Sequence, residues 1–375
     1  MKTMSERAER RADGMVLFYC GSVFHIVNAI NIKYNLHPDD KADIILADYT
    51  DLSRFVEPLQ NCGLFESVQT VPYRAFVERS QGRPYYVSNY DIKKPHDFIG
   101  ALKFNGDYSD YYCFVSAIYD KIIYYAMIKK GIKPKVYIAE EGLSIYVMDM
   151  MRKSSSNEYD KKVYGKYAYA DNVCGLLLYE PDLYCGNDAF AAHQMPKLDV
   201  TNKKMIDTFT GIFGHLDFPQ ERYIFLEEAF LNDRVLASDK IVMKQIAEFV
   251  GIDNIIVKLH PRNGTDSWKP CGFKTLGVTD VPWEISLLAN DIRGKVFLTV
   301  SSTSSLNGLM LMNKESKVIL LYKLMSVGLS VHVKEKKFKD FIAKVVEKYN
   351  DNEPQVFIPP KFPTLQEYIT YLERW

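Results

Sequence analysis

The chain has no net charge and no long apolar run. Its 375 residues carry 47 basic and 47 acidic side chains, so no bulk attraction to nucleic acid or to an anionic membrane is expected. No apolar run approaches the roughly 20 residues needed to cross a bilayer. Residues 1–14 are basic and polar, lack the apolar core of a secretion signal, and are predicted to form a disordered tail. A cytoplasmic protein is the default expectation, with attachment to the inner face of the membrane and homodimer formation both left open.

Several recognisable chemical motifs are also absent. The six cysteines are scattered without a CxxC pair, which favours reduced thiols over a metal site. There is no GxGxxG, no Walker loop and no nucleophile elbow. No Asp-x-Asp pair occurs, which disfavours a sugar diphosphate held by a metal ion. Any anion site must therefore be built locally, and the sequence predicts one that uses neither metal nor cofactor.

What the chain does have is a regular alternation of strands and helices. Predicted buried strands lie at 15–20, 43–47, 68–71, 111–115, 135–139, 222–226, 254–259, 295–300 and 317–322. Such alternation is typical of parallel, doubly wound α/β sheets, and the length suits two domains. The predicted organisation is an N-terminal domain at 15–200, a linker at 201–218, a C-terminal domain at 219–362, and a terminal helix at 363–375 that packs back on the N-terminal domain.

One predicted strand ends in a basic turn that contains a histidine. Lys258 projects to the same face of this strand as His260, and Pro261 and Arg262 follow. Open α/β sheets place ligand groups at such strand ends, and an imidazole flanked by cations can hold a phosphate. On local grounds alone, a simple turn cap explains His260 equally well.

A serine run follows the strand at 295–300. Ser301 and Ser302 stand where a helix is predicted to begin, so one of them is expected to cap that helix. A capped helix start also offers free N–H groups and hydroxyls to an anion. The two interpretations are compatible.

Acidic residues follow other strands. Glu140 and Glu141 stand between a strand and Gly142, where they suit a general base but also an ordinary solvated turn. Glu284 near a helix start is either favoured by the helix dipole or available to ribose hydroxyls. Further candidate acids, equally explained as surface charges, are Glu227, Glu228 and Asp233.

These motifs occur in an order that resembles the bacterial sialyltransferases. The order is Glu140-Glu141-Gly142, then Lys258-Leu259-His260-Pro261, then Pro282-Trp283-Glu284, then Ser301-Ser302. The best match is glycosyltransferase family 52, the lipooligosaccharide and capsule type, and it spans most of the chain. Each motif is short, so the joint order and the strand-end placement carry the specificity. The resemblance implies a GT-B fold, with two Rossmann-like domains facing a central cleft.

The resemblance also implies roles on the donor side. His260 would bind the phosphate of CMP and act on it as a general acid as it departs, with Ser301 and Ser302 donating to the same phosphate. Lys258 would lie along the cytosine and Glu284 would hold the ribose. The implied donor-binding set is Lys258, Pro261, Arg262, Glu284, Ser301 and Ser302.

On the acceptor side, the resemblance makes Glu141 the general base, with Glu140 as the close alternative. Members of this family have also been assigned a base in the second domain, for which the counterparts are Glu227, Glu228 and Asp233. Ser22, in the turn after the first strand, is a candidate substrate contact.

The implied reaction is inverting transfer of sialic acid from CMP-sialic acid to a hydroxyl of a bacterial surface glycan, lipooligosaccharide or capsule, without a metal ion. One alternative is a GT-B transferase or epimerase that uses another nucleotide sugar. The other is a catalytically silent GT-B scaffold that binds a glycan or a biosynthetic partner.

Overall fold

The computed structural model describes residues 14–47, 51–71, 89–99, 102–114, 118–147, 158–186, 190–327 and 335–375. The predicted disordered tail lies, apart from Gly14, outside the described residues. The described residues form two compact units. The first lies within Met1–Glu141, Asp149–Pro181 and Asn187–Pro196, and the second within Gly142–Met148, Asp182–Gly186 and Lys197–Trp375.

The first unit is built on a seven-stranded parallel sheet. Its strands are β1 (Met15–Cys20), β2 (Lys41–Ala47), β3 (Ser67–Val71), β4 (Tyr108–Phe114), β5 (Lys135–Ala139), β6 (Val173–Leu178) and β7 (Ala192–Gln194). They lie in the order β3-β2-β1-β4-β5-β6-β7, and every pairing is parallel. β1 is buried along its whole length, as expected of a central strand covered on both faces.

The second unit repeats this plan with a six-stranded sheet. Its strands are β8 (Tyr223–Leu226), β9 (Ile255–Lys258), β10 (Lys274–Leu276), β11 (Val296–Thr299), β12 (Lys317–Leu320) and β13 (Val356–Phe357). They lie in the order β10-β9-β8-β11-β12-β13, again all parallel. Each sheet thus has the strand order of a Rossmann-like domain, extended by one strand in the first unit.

Helices connect the strands and cover the sheets. Those of the first unit are α1 (Val23–Leu36), α2 (Val56–Asn61), α3 (Asn89–Lys93), α4 (His96–Ile99), α5 (Ile118–Lys129) and α7 (Glu158–Tyr164). Those of the second are α6 (Leu143–Val147), α8 (Lys203–Phe213), α9 (Asp239–Val250), α10 (Trp283–Ala289), α11 (Asn307–Met312), α12 (Lys336–Tyr349) and α13 (Phe362–Leu372). In the described part of the chain, no helix is both long and apolar enough to span a membrane.

Two features of the predicted organisation are corrected. Residues 201–218, predicted as a linker, contain α8, which begins at the side-chain cap of Asn202 and buries Met205 and Phe209. The terminal helix, predicted to pack on the N-terminal domain, instead contributes Leu365 and Ile369 to the hydrophobic core of the second unit. An apolar helix face can be recognised from the local sequence pattern, but the segment against which it packs cannot.

Candidate functional site

Each sheet has one place where the strand order changes direction. In the first sheet this point lies between β1 and β4, and in the second between β8 and β11. In open α/β sheets, ligands bind outside the carboxyl ends of the strands at such points, because the flanking connections leave in opposite directions. The sequence-predicted site residues lie at or beside these two positions, and each unit's site is considered by itself.

In the second unit, His260 follows β9 and caps a short turn. Pro261 is the first residue of a 3-10 turn over Pro261–Asn263, and the Arg262 N–H donates to His260 Nδ1 at 3.2 Å. A backbone N–H is always the donor, so Nδ1 carries no hydrogen and the hydrogen of the neutral ring is on Nε2. His260 therefore caps the turn, as expected on local grounds. The cap occupies Nδ1 and leaves Nε2–H as the group that can donate to a ligand.

The electrostatic surroundings keep this imidazole neutral. The pKa of His260 is lowered to about 4, chiefly by burial and also by the neighbouring cations Arg262 and Lys258, with Asp233 opposing the shift. The ring is therefore uncharged at neutral pH. The general-acid role implied by the resemblance needs a protonated imidazole, so it is corrected for the unliganded protein to that of a neutral Nε2–H donor.

The turn is held in place by Glu227, a carboxylate that was a reserve candidate for the base. Its Oε2 accepts the His260 backbone N–H at 2.7 Å, and its Oε1 accepts the indole N–H of Trp268 at 2.8 Å. Glu227 is only 7% exposed. With one oxygen on the buried indole N–H of Trp268 and the other on the His260 N–H, this side chain supports the turn. Sequence reasoning missed Trp268 because nothing in the local pattern points to a partner 41 residues earlier.

The switch point between β8 and β11 is bridged by Glu228 and Ser301. The Ser301 hydroxyl donates to the two carboxylate oxygens at 3.1 and 3.2 Å, and the Ser301 N–H donates to Oε1. Burial raises the pKa of Glu228, and the donors on Ser301 oppose that shift. Ser301, predicted to donate to phosphate, thus donates to a carboxylate in this state. Ser302 caps the following 3-10 turn, its hydroxyl accepting the Ser304 N–H at 3.3 Å.

Two of the predicted donor-binding residues, Lys258 and Glu284, influence each other electrostatically beside the turn. Burial lowers the pKa of Lys258 while Glu284 and Glu227 oppose that shift, and burial raises the pKa of Glu284 while Lys258 and Asn307 oppose it. The Asn307 amide donates to Glu284 at 2.7 Å, and Lys258 Nζ lies 5.6 Å from the centre of the Trp283 ring. Burial thus works against the charged form of both groups, and each partly compensates the other.

Arg262 and Asp233 lie at the periphery of this site. Arg262 Nη1 is 3.5 Å from Asp233 Oδ1, and their side chains are 60% and 46% exposed. A pair so exposed contributes little to stability. Asp233 therefore offers an acid in solvent, not one in a desolvated pocket.

In the first unit, the two adjacent acids have different environments. Glu140 is 2% exposed, and its Oε2 accepts the N–H of Tyr179 at 2.8 Å, at the end of β6. This contact ties the carboxyl ends of β5 and β6 together, so Glu140 is corrected from alternative base to a structural anchor. Glu141 lies beside His25, with 3.6 Å between Glu141 Oε2 and His25 Nε2. Gly142 follows with φ +127°, a backbone conformation that favours glycine.

Ser22, the candidate substrate contact, is the cap of α1. Its hydroxyl accepts the N–H of His25 at 3.3 Å. Sequence reasoning gives a candidate role to Ser22 and none to His25, although His25 belongs to the same turn at the end of the first strand. The structure brings His25 to Glu141, which is 116 residues away by the numbering.

No family model matches the chain, and no curated protein matches it by sequence. Solved structures do match. The inferred UDP-N-acetylglucosamine 2-epimerase of Listeria monocytogenes aligns with a TM-score of 0.51 at 8% identity, over 97% of this chain and 89% of that one. Arabidopsis thaliana UGT89C1 in complex with quercetin aligns with a TM-score of 0.50 at 10% identity, over 96% and 90%. At such identities the similarity concerns the fold, and together with the two parallel sheets it confirms the predicted class: the chain has the GT-B fold.

Proposed function

We propose that the chain is a metal-independent, inverting sialyltransferase that moves sialic acid from CMP-sialic acid to a hydroxyl of a bacterial surface glycan. The observation that carries the proposal is the His260 turn. A neutral imidazole presents its Nε2–H at the end of β9, between the cations Lys258 and Arg262. A monophosphate leaving group needs hydrogen-bond donors and positive charge at this kind of position.

The other donor contacts follow from the same site. Burial opposes the charged forms of Lys258 and Glu284, so the polar groups of an entering nucleoside can replace the hydration that these side chains lack. Lys258 is assigned to the cytosine and Glu284 to the ribose. The phosphate and the Glu228 carboxylate would compete for the same N–H and hydroxyl of Ser301. Ser301 therefore donates to the phosphate only after the Glu228 carboxylate has moved away.

Glu141 is assigned as the general base. In the transfer, the proton of the acceptor hydroxyl passes to Glu141, and the oxygen forms a bond to the anomeric carbon. The bond between that carbon and the phosphate oxygen breaks, and its electron pair leaves with CMP. Inversion results because the attack comes from the face opposite the phosphate.

Release of CMP is the test. Purified protein is incubated with CMP-sialic acid in EDTA, and CMP is followed by chromatography with and without added glycan. Metal-independent release that exceeds the rate without protein supports the proposal. The structural neighbours named for UDP sugars make UDP-N-acetylglucosamine the matched comparison. If only the UDP sugar raises the melting temperature, the donor assignment is wrong; if neither nucleotide sugar binds, the silent-scaffold alternative gains support.

A further inference from the structure

His25 lies at the switch point of the first sheet, where α1 leaves β1. Its ring stacks on Phe114, the last residue of β4, with 4.2 Å between ring centres and 5° between ring planes. The side chain is almost buried, with 8% of the residue exposed. The imidazole therefore connects the start of α1 with the end of β4, and its plane is fixed by stacking.

One backbone group fixes the orientation of the ring within that plane, since the Gly21 N–H donates to His25 Nδ1 at 3.0 Å. The main chain of His25 is held separately, because its own N–H donates to the Ser22 hydroxyl at 3.3 Å. Because Nδ1 accepts, the hydrogen of the neutral ring must be on Nε2. The turn after β1 thus selects one tautomer and directs one N–H donor.

That donor is directed at Glu141. Nε2 is 3.6 Å from Glu141 Oε2, and the two side chains are 10% and 13% exposed. The distance is longer than a hydrogen bond, as is common for catalytic contacts in unliganded proteins, which tighten when substrate binds. The main chain beside the carboxylate is held from the same helix, since Asn28, one turn after His25, donates to the Glu140 carbonyl at 2.8 Å.

We propose that His25 is a positioning residue for Glu141, whose carboxylate it orients through Nε2–H so that an oxygen is set to take the proton of the acceptor hydroxyl. The inference rests on the proposed function, in which Glu141 is the base. His25 itself gives up no proton in this role. An N–H donor of fixed direction orders the carboxylate, and misplacing a catalytic group by about 1 Å can cost roughly 100-fold in rate.

Two substitutions separate this role from a purely structural one. In His25→Gln the side-chain amide can reach the position of Nε2, so the donor to Glu141 is kept and the contact with Gly21 is lost. In His25→Asn the shorter amide can reach the position of Nδ1, so the contact with Gly21 is kept and the donor to Glu141 is lost. If His25 positions Glu141, His25→Gln should be the more active variant. If His25 only supports the turn through Gly21, His25→Asn should be the more active variant.

The readout is CMP release from CMP-sialic acid with water as acceptor. We expect His25→Gln to retain kcat within about threefold, and His25→Asn to lose roughly 100-fold in kcat with KM for the donor unchanged. The proposal is overturned if His25→Asn is the more active of the two, or if both variants keep wild-type activity.

A second measurement does not depend on activity. With histidine labelled with ¹⁵N, the two ring nitrogens of His25 report the tautomer directly, and the hydrogen should be on Nε2. In Glu141→Gln the Nε2–H signal should shift while the Nδ1 signal stays. An Nδ1–H tautomer, or an Nε2–H signal that does not respond to this substitution, overturns the proposal. If the wild-type protein releases no CMP but the signals behave as expected, the proposed function fails and the coupling between His25 and Glu141 stands.

Discussion

Replacing His260 with glutamine distinguishes a neutral hydrogen-bond donor from a general acid. With a pKa of about 4, the imidazole is protonated in only about one molecule in a thousand at pH 7. Charging it there costs about 4 kcal/mol. A bound phosphate would have to offset this cost before the residue could act as an acid. Part of the cost comes from Arg262 and Lys258, whose positive charges oppose protonation of the ring.

The expected result follows from that cost. Glutamine can place an N–H near the position of Nε2 but cannot carry a proton for transfer, so His260→Gln should retain CMP release within about tenfold. His260→Ala removes a hydrogen bond to a charged group, which is worth about 1.5–3 kcal/mol, and should lose about 10- to 150-fold. A general acid predicts instead that glutamine is as damaging as alanine, with a loss of about 100-fold or more for both.

The assay is the initial rate of CMP release between pH 5 and pH 8, at saturating and at low CMP-sialic acid. His260→Asn is the matched control, because it can still accept the Arg262 N–H but lacks the donor at Nε2. Melting temperatures show whether the turn survives. Equal losses for glutamine and alanine in folded variants would refute the assignment of a neutral donor.

Three further predictions concern the residues that support the second unit. Glu227→Ala removes the acceptor of the buried Trp268 indole N–H and of the partly buried His260 N–H, so the urea midpoint should fall by the equivalent of about 2–4 kcal/mol. Glu228→Gln should raise the melting temperature at pH 7 but much less near pH 4.5. The raised pKa of Glu228 means that its protonated form stabilises the fold. In the wild type this stabilisation is complete below the ordinary pKa of 4.5 and is lost as pH rises through the pKa of the folded state, whereas glutamine is neutral at every pH. Phe209→Ala should cost about 3–5 kcal/mol in unfolding free energy if α8 belongs to a packed core, whereas a linker would show almost no change.

The sequence predicts most of the fold because its strands are apolar on both faces. The strands Met15–Cys20 and Lys135–Ala139 begin and end at the predicted residues. In a parallel sheet, central strands read as uninterrupted apolar runs, and amphipathic helices between them read with a period of 3.6 residues. Both patterns are local, so they can be read without knowing the neighbours.

The site is predictable only in part, because its decisive contacts join distant segments. The strand-end placement of His260 and Glu141 follows from local pattern. The pairing of Glu228 with Ser301 does not, since it requires that β11 lie next to β8 although 73 residues separate the two side chains. The same holds for Glu140, whose partner Tyr179 follows a strand that becomes adjacent only in the folded sheet.

His25 and His260 have the same tautomer, fixed in the same way, but their Nε2–H groups have different surroundings. Each has Nδ1 occupied by a backbone N–H, from Gly21 or from Arg262, and therefore offers Nε2–H. His25 directs that donor at a carboxylate, whereas His260 carries it between two cations. A fixed neutral donor beside an acid suits the orientation of a base, and a fixed neutral donor among cations suits an anionic leaving group. The same tautomer can thus serve both ends of the proposed transfer, and neither histidine needs to change its charge.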